Sequence, residues 1–114
     1  MTQINSPAKK AYIREWEKRN PDKVRAVRLK RRHGGNLEGI DPLSMYHAQA
    51  GKCAICDKDI TFFKTEGKTM AYLDHCHKTG KIRGFLCPQC NTAIGLLGDT
   101  IEGLTKAIEY LAKS

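Results

Sequence analysis

A small α+β domain stapled by cysteines, with a basic helical arm before it and one further helix after it, is the fold class that this 114-residue sequence predicts. Three observations carry it. Two CxxC pairs, Cys53-Ala-Ile-Cys56 and Cys87-Pro-Gln-Cys90, bracket the thirty residues 57–86. Within and just after that bracket, short apolar runs divided by turn residues give way to a helical pattern. Eleven of the twenty Lys/Arg residues fall within residues 1–33, on helical spacing.

Two CxxC pairs in one short domain are the arrangement of a four-thiolate zinc site, because each pair grips a tetrahedral ion from one tight turn. A disulfide framework and a thioredoxin-like redox motif are the competing explanations. No secretory signal precedes the cysteines and no βαβ pattern surrounds them, so both fit less well. The gap between the pairs exceeds the ~15–20 residues of a plain zinc ribbon, so something is inserted that the ribbon alone does not need. Cys76 is the odd thiol. It is either a further metal or redox group or, since four thiolates already complete a tetrahedron, a free and at least half-buried cysteine; the second is favoured.

The insert reads as two strands, residues 69–73 and 81–86, with the turn residues Lys78-Thr79-Gly80-Lys81 between them. Residues 91–98 read as a helix closed by Gly98. Strand, turn, strand and helix then carry Asp74, His75 and Asn91 toward one locus. Asp and Asn oxygens suit a hard divalent cation, and a neighbouring His can take a proton from water, which together equip a metal-assisted hydrolase of phosphodiesters. In a regular strand His75 and His77 share one face and Asp74 takes the other. A common site for Asp74 and His75 therefore requires the strand to twist or end at Asp74. The competing explanation is a zinc-ribbon DNA-binding module with polar residues beside its hairpin.

The run Asp74-His75-Cys76-His77, the stretch Thr79-Gly80-Lys81-Ile82-Arg83-Gly84-Phe85-Leu86-Cys87 and the pair Cys90-Asn91 resemble the phage recombination endonuclease VII family, within the His-Me finger (ββα-metal, HNH-like) nucleases. The resemblance covers about residues 51–98. It implies structural zinc, one ion per chain, on Cys53, Cys56, Cys87 and Cys90, with His75 as general base. It places catalytic magnesium, or manganese, on Asp74 and Asn91, and gives His77 a part in handling substrate. Cys76 stands where the best-known member has Asp, and Ile94 stands where it has a functional Glu.

The length suits a single domain with a modest core, for which a metal staple supplies folding energy. With 40% hydrophobic and 28% charged residues the composition is globular, and no apolar run approaches the ~18 residues of a membrane span. Residues 1–33 carry eleven basic and three acidic side chains, a net of +8, whereas residues 34–114 carry nine of each. A basic arm on a neutral metal domain is an electrostatic grip for nucleic acid, with a merely solubilising polar helix as the alternative.

Ser6-Pro7 starts a first helix reaching Arg19, with Ala8, Tyr12 and Trp16 on one face; on that spacing Tyr12 and Trp16 are packing residues in preference to base-stacking ones. Asn20-Pro21-Asp22 ends it and starts a second helix, in which Lys23, Arg25, Arg28, Lys30, Arg31 and Arg32 outnumber the apolar residues. That helix has little core to join and is expected to firm up on DNA. His33-Gly34-Gly35-Asn36 marks the boundary between an arm, residues 1–35, and a nuclease domain, residues 36–114. Asp41-Pro42 caps a short helix whose inner face is Leu43, Tyr46 and Ala50. Asp99 with Glu102 resembles a capping box for a final helix, in which Ile101, Leu104, Ile108 and Leu111 form a stripe suited to core packing or, alternatively, to a homodimer face.

The sequence therefore points to a magnesium-dependent endonuclease of DNA, either resolving branched DNA (junctions) or nicking, in the cytoplasm (the host cytoplasm if phage-encoded) and away from membranes. DNA contacts are expected from the six basic residues of the second helix and from Lys81 and Arg83. The alternative is a non-catalytic zinc-stapled DNA-binding protein.

Overall fold

The computed structural model describes residues 7–113. The chain runs through α1 (Pro7–Arg19), α2 (Pro21–His33), a 3₁₀ turn (Gly34–Leu37), α3 (Pro42–Ala48), β1 (Tyr72–His75), β2 (Ile82–Leu86), α4 (Pro88–Leu96) and α5 (Ile101–Ala112). No described helix is long and apolar enough to cross a membrane.

The helix boundaries follow local chemistry. Asn20 closes α1, its side-chain amide donating to Trp16 O at 2.8 Å, and Pro21 opens α2 with its φ already helical. Asp41 caps α3 by accepting from Ser44 N at 3.1 Å. The Ser6 cap expected for α1 lies outside the described residues. Helix α4 starts three residues earlier than expected, because the Cys87 thiol serves as its cap and accepts from Cys90 N at 3.4 Å. The first strand is shorter and later than residues 69–73. Thr61 and Met70 meet instead in a single bridge, with Thr61 N bonded to Thr69 O at 2.6 Å.

Strands β1 and β2 form a two-stranded antiparallel sheet with partners Tyr72/Leu86, Leu73/Phe85, Asp74/Gly84 and His75/Ile82. Arg83 is thus one residue too many on β2, a bulge between Asp74 and His75. This is the irregularity that a shared site for those two residues requires.

One core underlies the molecule. Phe62, Phe85, Leu86, Ile60, Ala71, Cys53 and Cys87 are buried together with Ala26 and Leu29 of α2, while Leu43 and Tyr46 of α3 pack against them. Tyr46, Phe62 and Phe85 meet in tilted and edge-to-face contacts with ring centroids 5.3–6.2 Å apart, and the Tyr46 hydroxyl donates to Ile60 O. The expectation that α2 has little core to join is overturned: its inner face, Arg25, Ala26 and Leu29, is buried. The reason is a charge put to structural use. Arg25 donates Nη1 to the carbonyls of Phe62 and Lys64, both at 2.6 Å, and Nη2 to Ala71 O at 3.2 Å, which ties α2 to the loop before β1.

Three other expectations change. Helix α1 buries none of its residues, and Tyr12 (64% exposed) and Trp16 (38%) are not packed inside. Ala50 lies beyond α3 with φ +56° and is exposed. The stripe of α5 is no core face, since Ile101 and Ile108 are 81% and 65% exposed.

Candidate active site and metal centre

The four cysteine sulfurs of the two CxxC pairs lie within 4.8 Å of one another, and Cys56 Sγ is 3.7 Å from Cys87 Sγ. A tetrahedral ion with Zn–S bonds of about 2.3 Å requires sulfurs about 3.8 Å apart, so the cluster has the dimensions of a zinc site. The electrostatics agree. Burial and the neighbouring sulfurs push the Cys90 thiol up, to about 12, whereas at Cys53 burial is outweighed by backbone N–H groups aimed at its sulfur. Four packed thiols cannot all ionise on their own, and a divalent cation supplies the charge that lets them. The centre is anchored at both ends: Ala54 N donates to Phe85 O at 3.1 Å, and Cys87 caps α4. Cys76 stands outside the cluster, half-buried, its thiol pKa lowered by hydrogen bonds from the Thr79 hydroxyl and nearby backbone N–H groups.

Because Cys87 caps α4, Asn91 falls in the first turn of that helix, where its N–H reaches Cys87 O at 3.0 Å. Helix α4 packs on β1. Asp74, His75, His77 and Asn91 consequently line one cleft of about 410 Å³, closed on the helix side by Thr92, Gly95 and Leu96. The turn from β1 to β2 is held by Cys76 N to Lys81 O (2.8 Å) and Gly80 N to Cys76 O (2.7 Å), with Gly80 at φ +78°, so His77 is presented on a fixed loop. The His75 ring lies 5.2 Å from that of His77 and 5.8 Å from that of His33 at the end of α2. His33 is half-buried against His75, and burial together with His75 and Arg32 lowers its pKa.

Arg83, the bulge residue, bridges two carboxylates. Its Nε and Nη2 donate to Asp74 at 2.6 and 3.1 Å, and Nη2 also donates to Asp99 at 2.6 Å. These bonds raise the Arg83 pKa, and the same guanidinium holds Asp99 below the usual carboxylate range. The other oxygen of Asp99 lies 3.7 Å from His77 Nε2. The capping box expected from Asp99 and Glu102 is absent. Asp99 sits at φ +55°, and Thr100 caps α5 by accepting from Gly103 N at 3.0 Å, which leaves the Asp99 carboxylate free to face Arg83.

Among the expected DNA contacts, Arg25 is spent inside the fold and Arg83 on carboxylates, whereas Lys23, Arg28, Lys30, Arg31, Arg32 and Lys81 are exposed, Lys30 pairing with Asp41 at 2.9 Å. Sequence reasoning missed Asp99, His33 and Gln49. The Gln49 amide accepts from Phe85 N at 2.8 Å and donates to Phe85 O at 3.0 Å, standing in for a strand on the open side of β2. Gly98 before Asp99 is a turn signal; for His33 and Gln49 the sequence holds none.

A family model, recombination endonuclease VII, matches residues 28–113. The chain belongs to the recombination endonuclease VII family. Its relatives include the gene 59 protein of Mycobacterium phage D29, 43% identical over 72 residues, covering 61% of this chain and 40% of that protein. The gene 59 protein of Mycobacterium phage L5 is 38% identical over 76 residues, covering 66% and 43%. The chain thus spans about two fifths of the length of these phage relatives. A C-type polyheme cytochrome, OmcB of Geobacter sulfurreducens, is 28% identical over 98 residues but only 13% of that protein is covered. The CxxC pairs here are followed by Asp57 and Asn91, not by the His of a haem-attachment motif.

Proposed function

We propose that this endonuclease VII family member is a metal-dependent endonuclease of DNA, with zinc on Cys53, Cys56, Cys87 and Cys90 as a structural staple. The observation that carries this reading is the single cleft lined by Asp74, His75, His77 and Asn91. The donor set suits magnesium. Arg83 donates one bond to each Asp74 oxygen, and a carboxylate offers about four acceptor positions, so oxygen lone pairs remain on Asp74 in the cleft that Asn91 also lines. Held by Asp74 and Asn91, magnesium or manganese would neutralise charge on the scissile phosphate and its leaving oxygen.

The remaining steps belong to the chain's own groups. His75, as the neutral imidazole, takes a proton from water, whose oxygen attacks phosphorus in line with the bond to the 3′ oxygen. That bond breaks, the 3′ oxygen takes up a proton, and the ends are a 5′-phosphate and a 3′-hydroxyl. His77, steadied by Asp99, orients the phosphate. Arg83 holds the Asp74 carboxylate in position, and Lys81 contacts the neighbouring backbone. The outer faces of the basic helices in residues 1–35, through Lys23, Arg28, Lys30, Arg31 and Arg32, grip phosphates for the nuclease domain of residues 36–114. A second copy of the chain covering Ile101 and Ile108 of α5 would give the homodimer suited to a two-sided substrate such as a junction. The work is done in the cytoplasm, the host's if the chain is phage-encoded.

The test offers purified, zinc-loaded protein linear duplex, nicked duplex, single strands and a four-way junction, each with and without magnesium. Magnesium-dependent cutting of any of them is the expected result, and the preferred substrate separates junction resolution from nicking. Tight binding with no cutting of any substrate would establish the binding-only alternative instead.

A further inference from the structure

A second cleft, of about 340 Å³, shares no lining residue with the first. It opens between α1, α2 and the loop after Phe62, and its wall includes Arg14, Lys18, Arg28, Glu17, Pro21 and Phe63. How Phe63 comes to be there is informative. The buried guanidinium of Arg25 pulls the carbonyls of Phe62 and Lys64 inward, one on each side of Phe63. Phe62 fills the core at 1% exposure, while the intervening ring of Phe63 is left 47% exposed on a pinned loop. An aromatic ring held at the surface by a buried arginine contributes little to the core. In a cleft that also carries three exposed cations beside the buried Arg25, it has the makeup of a stacking platform for a base whose flanking phosphates meet Arg14, Lys18 and Arg28.

We propose that this cleft binds an unpaired nucleotide of a DNA strand, with its base against Phe63. The proposal rests on the DNA-acting reading above. Paired bases stack on one another and cannot offer a face to Phe63, so the site selects single-stranded, flipped or displaced nucleotides over duplex. Glu17 separates it from a site for phosphate alone. Its carboxylate repels a further anion and offers an acceptor to an exocyclic amine on a base edge. The volume lies within the range of about 300–1,000 Å³ usual for sites that hold a small molecule or a single group.

The test measures binding of one fluorescent mixed-sequence strand, alone and annealed to its complement, without added magnesium. The proteins are wild type, Phe63→Ala and Phe63→Trp, each with verified zinc content. Phe63→Ala should weaken single-strand binding by about 5- to 100-fold, the worth of one base–aromatic stack, and change duplex binding less than about two-fold. Phe63→Trp should retain single-strand affinity and show tryptophan quenching on binding, beyond any change that wild type shows through Trp16. Wild-type single-strand affinity in Phe63→Ala, or an equal loss on both forms, overturns the cleft while duplex binding leaves the DNA reading intact. A wild-type protein that binds neither form overturns both.

Discussion

At Arg25 a guanidinium is satisfied by three peptide carbonyls inside the fold, and burial lowers its pKa. Arg25→Ala leaves those acceptors unpaired and should cost about 2–4 kcal/mol in urea unfolding, whereas Arg31→Ala, on the exposed face of the same helix, should stay within about 0.5 kcal/mol. Sequence alone treats both as equivalent members of one basic run; only the carbonyls of residues 62, 64 and 71, far away in the chain, tell them apart. Asp99 is the second such case. Arg83 depresses its folded pKa, so the stability it contributes is present above the unfolded value of about 3.9 and is lost as pH falls through the folded one. Acid unfolding of wild type and Asp99→Asn should therefore converge below about pH 4, with wild type the more stable above it. A constant difference between the two across that range would remove the ion pair as its cause.

Among the elements, those set by short-range chemistry were legible: α1 and α2 from Asn20-Pro21, α3 from Asp41-Pro42, β2 from its apolar run, and α5 to its last turn. What was not legible depends on distant partners. The thiol of Cys87 moves the start of α4, the β2 bulge appears only in the pairing register, and Gln49 is recruited to β2 through the fold. The junction of α4 and α5 is similarly hidden. A Cβ on Gly103 would lie 1.8 Å from Leu97 O, so the start of α5 sits directly on the end of α4. Gly103→Ala should force that junction apart at about 1–3 kcal/mol, read as a lower urea midpoint and faster amide exchange at the start of α5. An unchanged midpoint with unchanged exchange would mean that the two helices do not need this contact.

For the whole molecule, the cysteine cluster and the candidate cleft are two ends of one unit, because α4 is capped by Cys87 of the cluster and carries Asn91 in its first turn. The cysteine spacing made the staple readable from sequence, and the family motif made the four cleft residues readable. The role of α2 was not, since a helix with mean composition so basic gives no sign that Ala26 and Leu29 complete the core. Zinc removal should unfold the finger: Cys90→Ser should lose both zinc and tertiary structure, and Cys76→Ser should keep one zinc per chain. Zinc loss in the Cys76 variant would contradict the ligand set. The central claim is that His75 does chemistry in a cleft which folds without it. It is measured by the single-turnover cleavage rate of His75→Ala, at saturating protein and magnesium, with zinc content and DNA affinity verified as wild type. The account predicts a rate lowered by about 10²–10⁴-fold, the worth of a general base. A variant so verified that cuts DNA within a few-fold of wild type would contradict it.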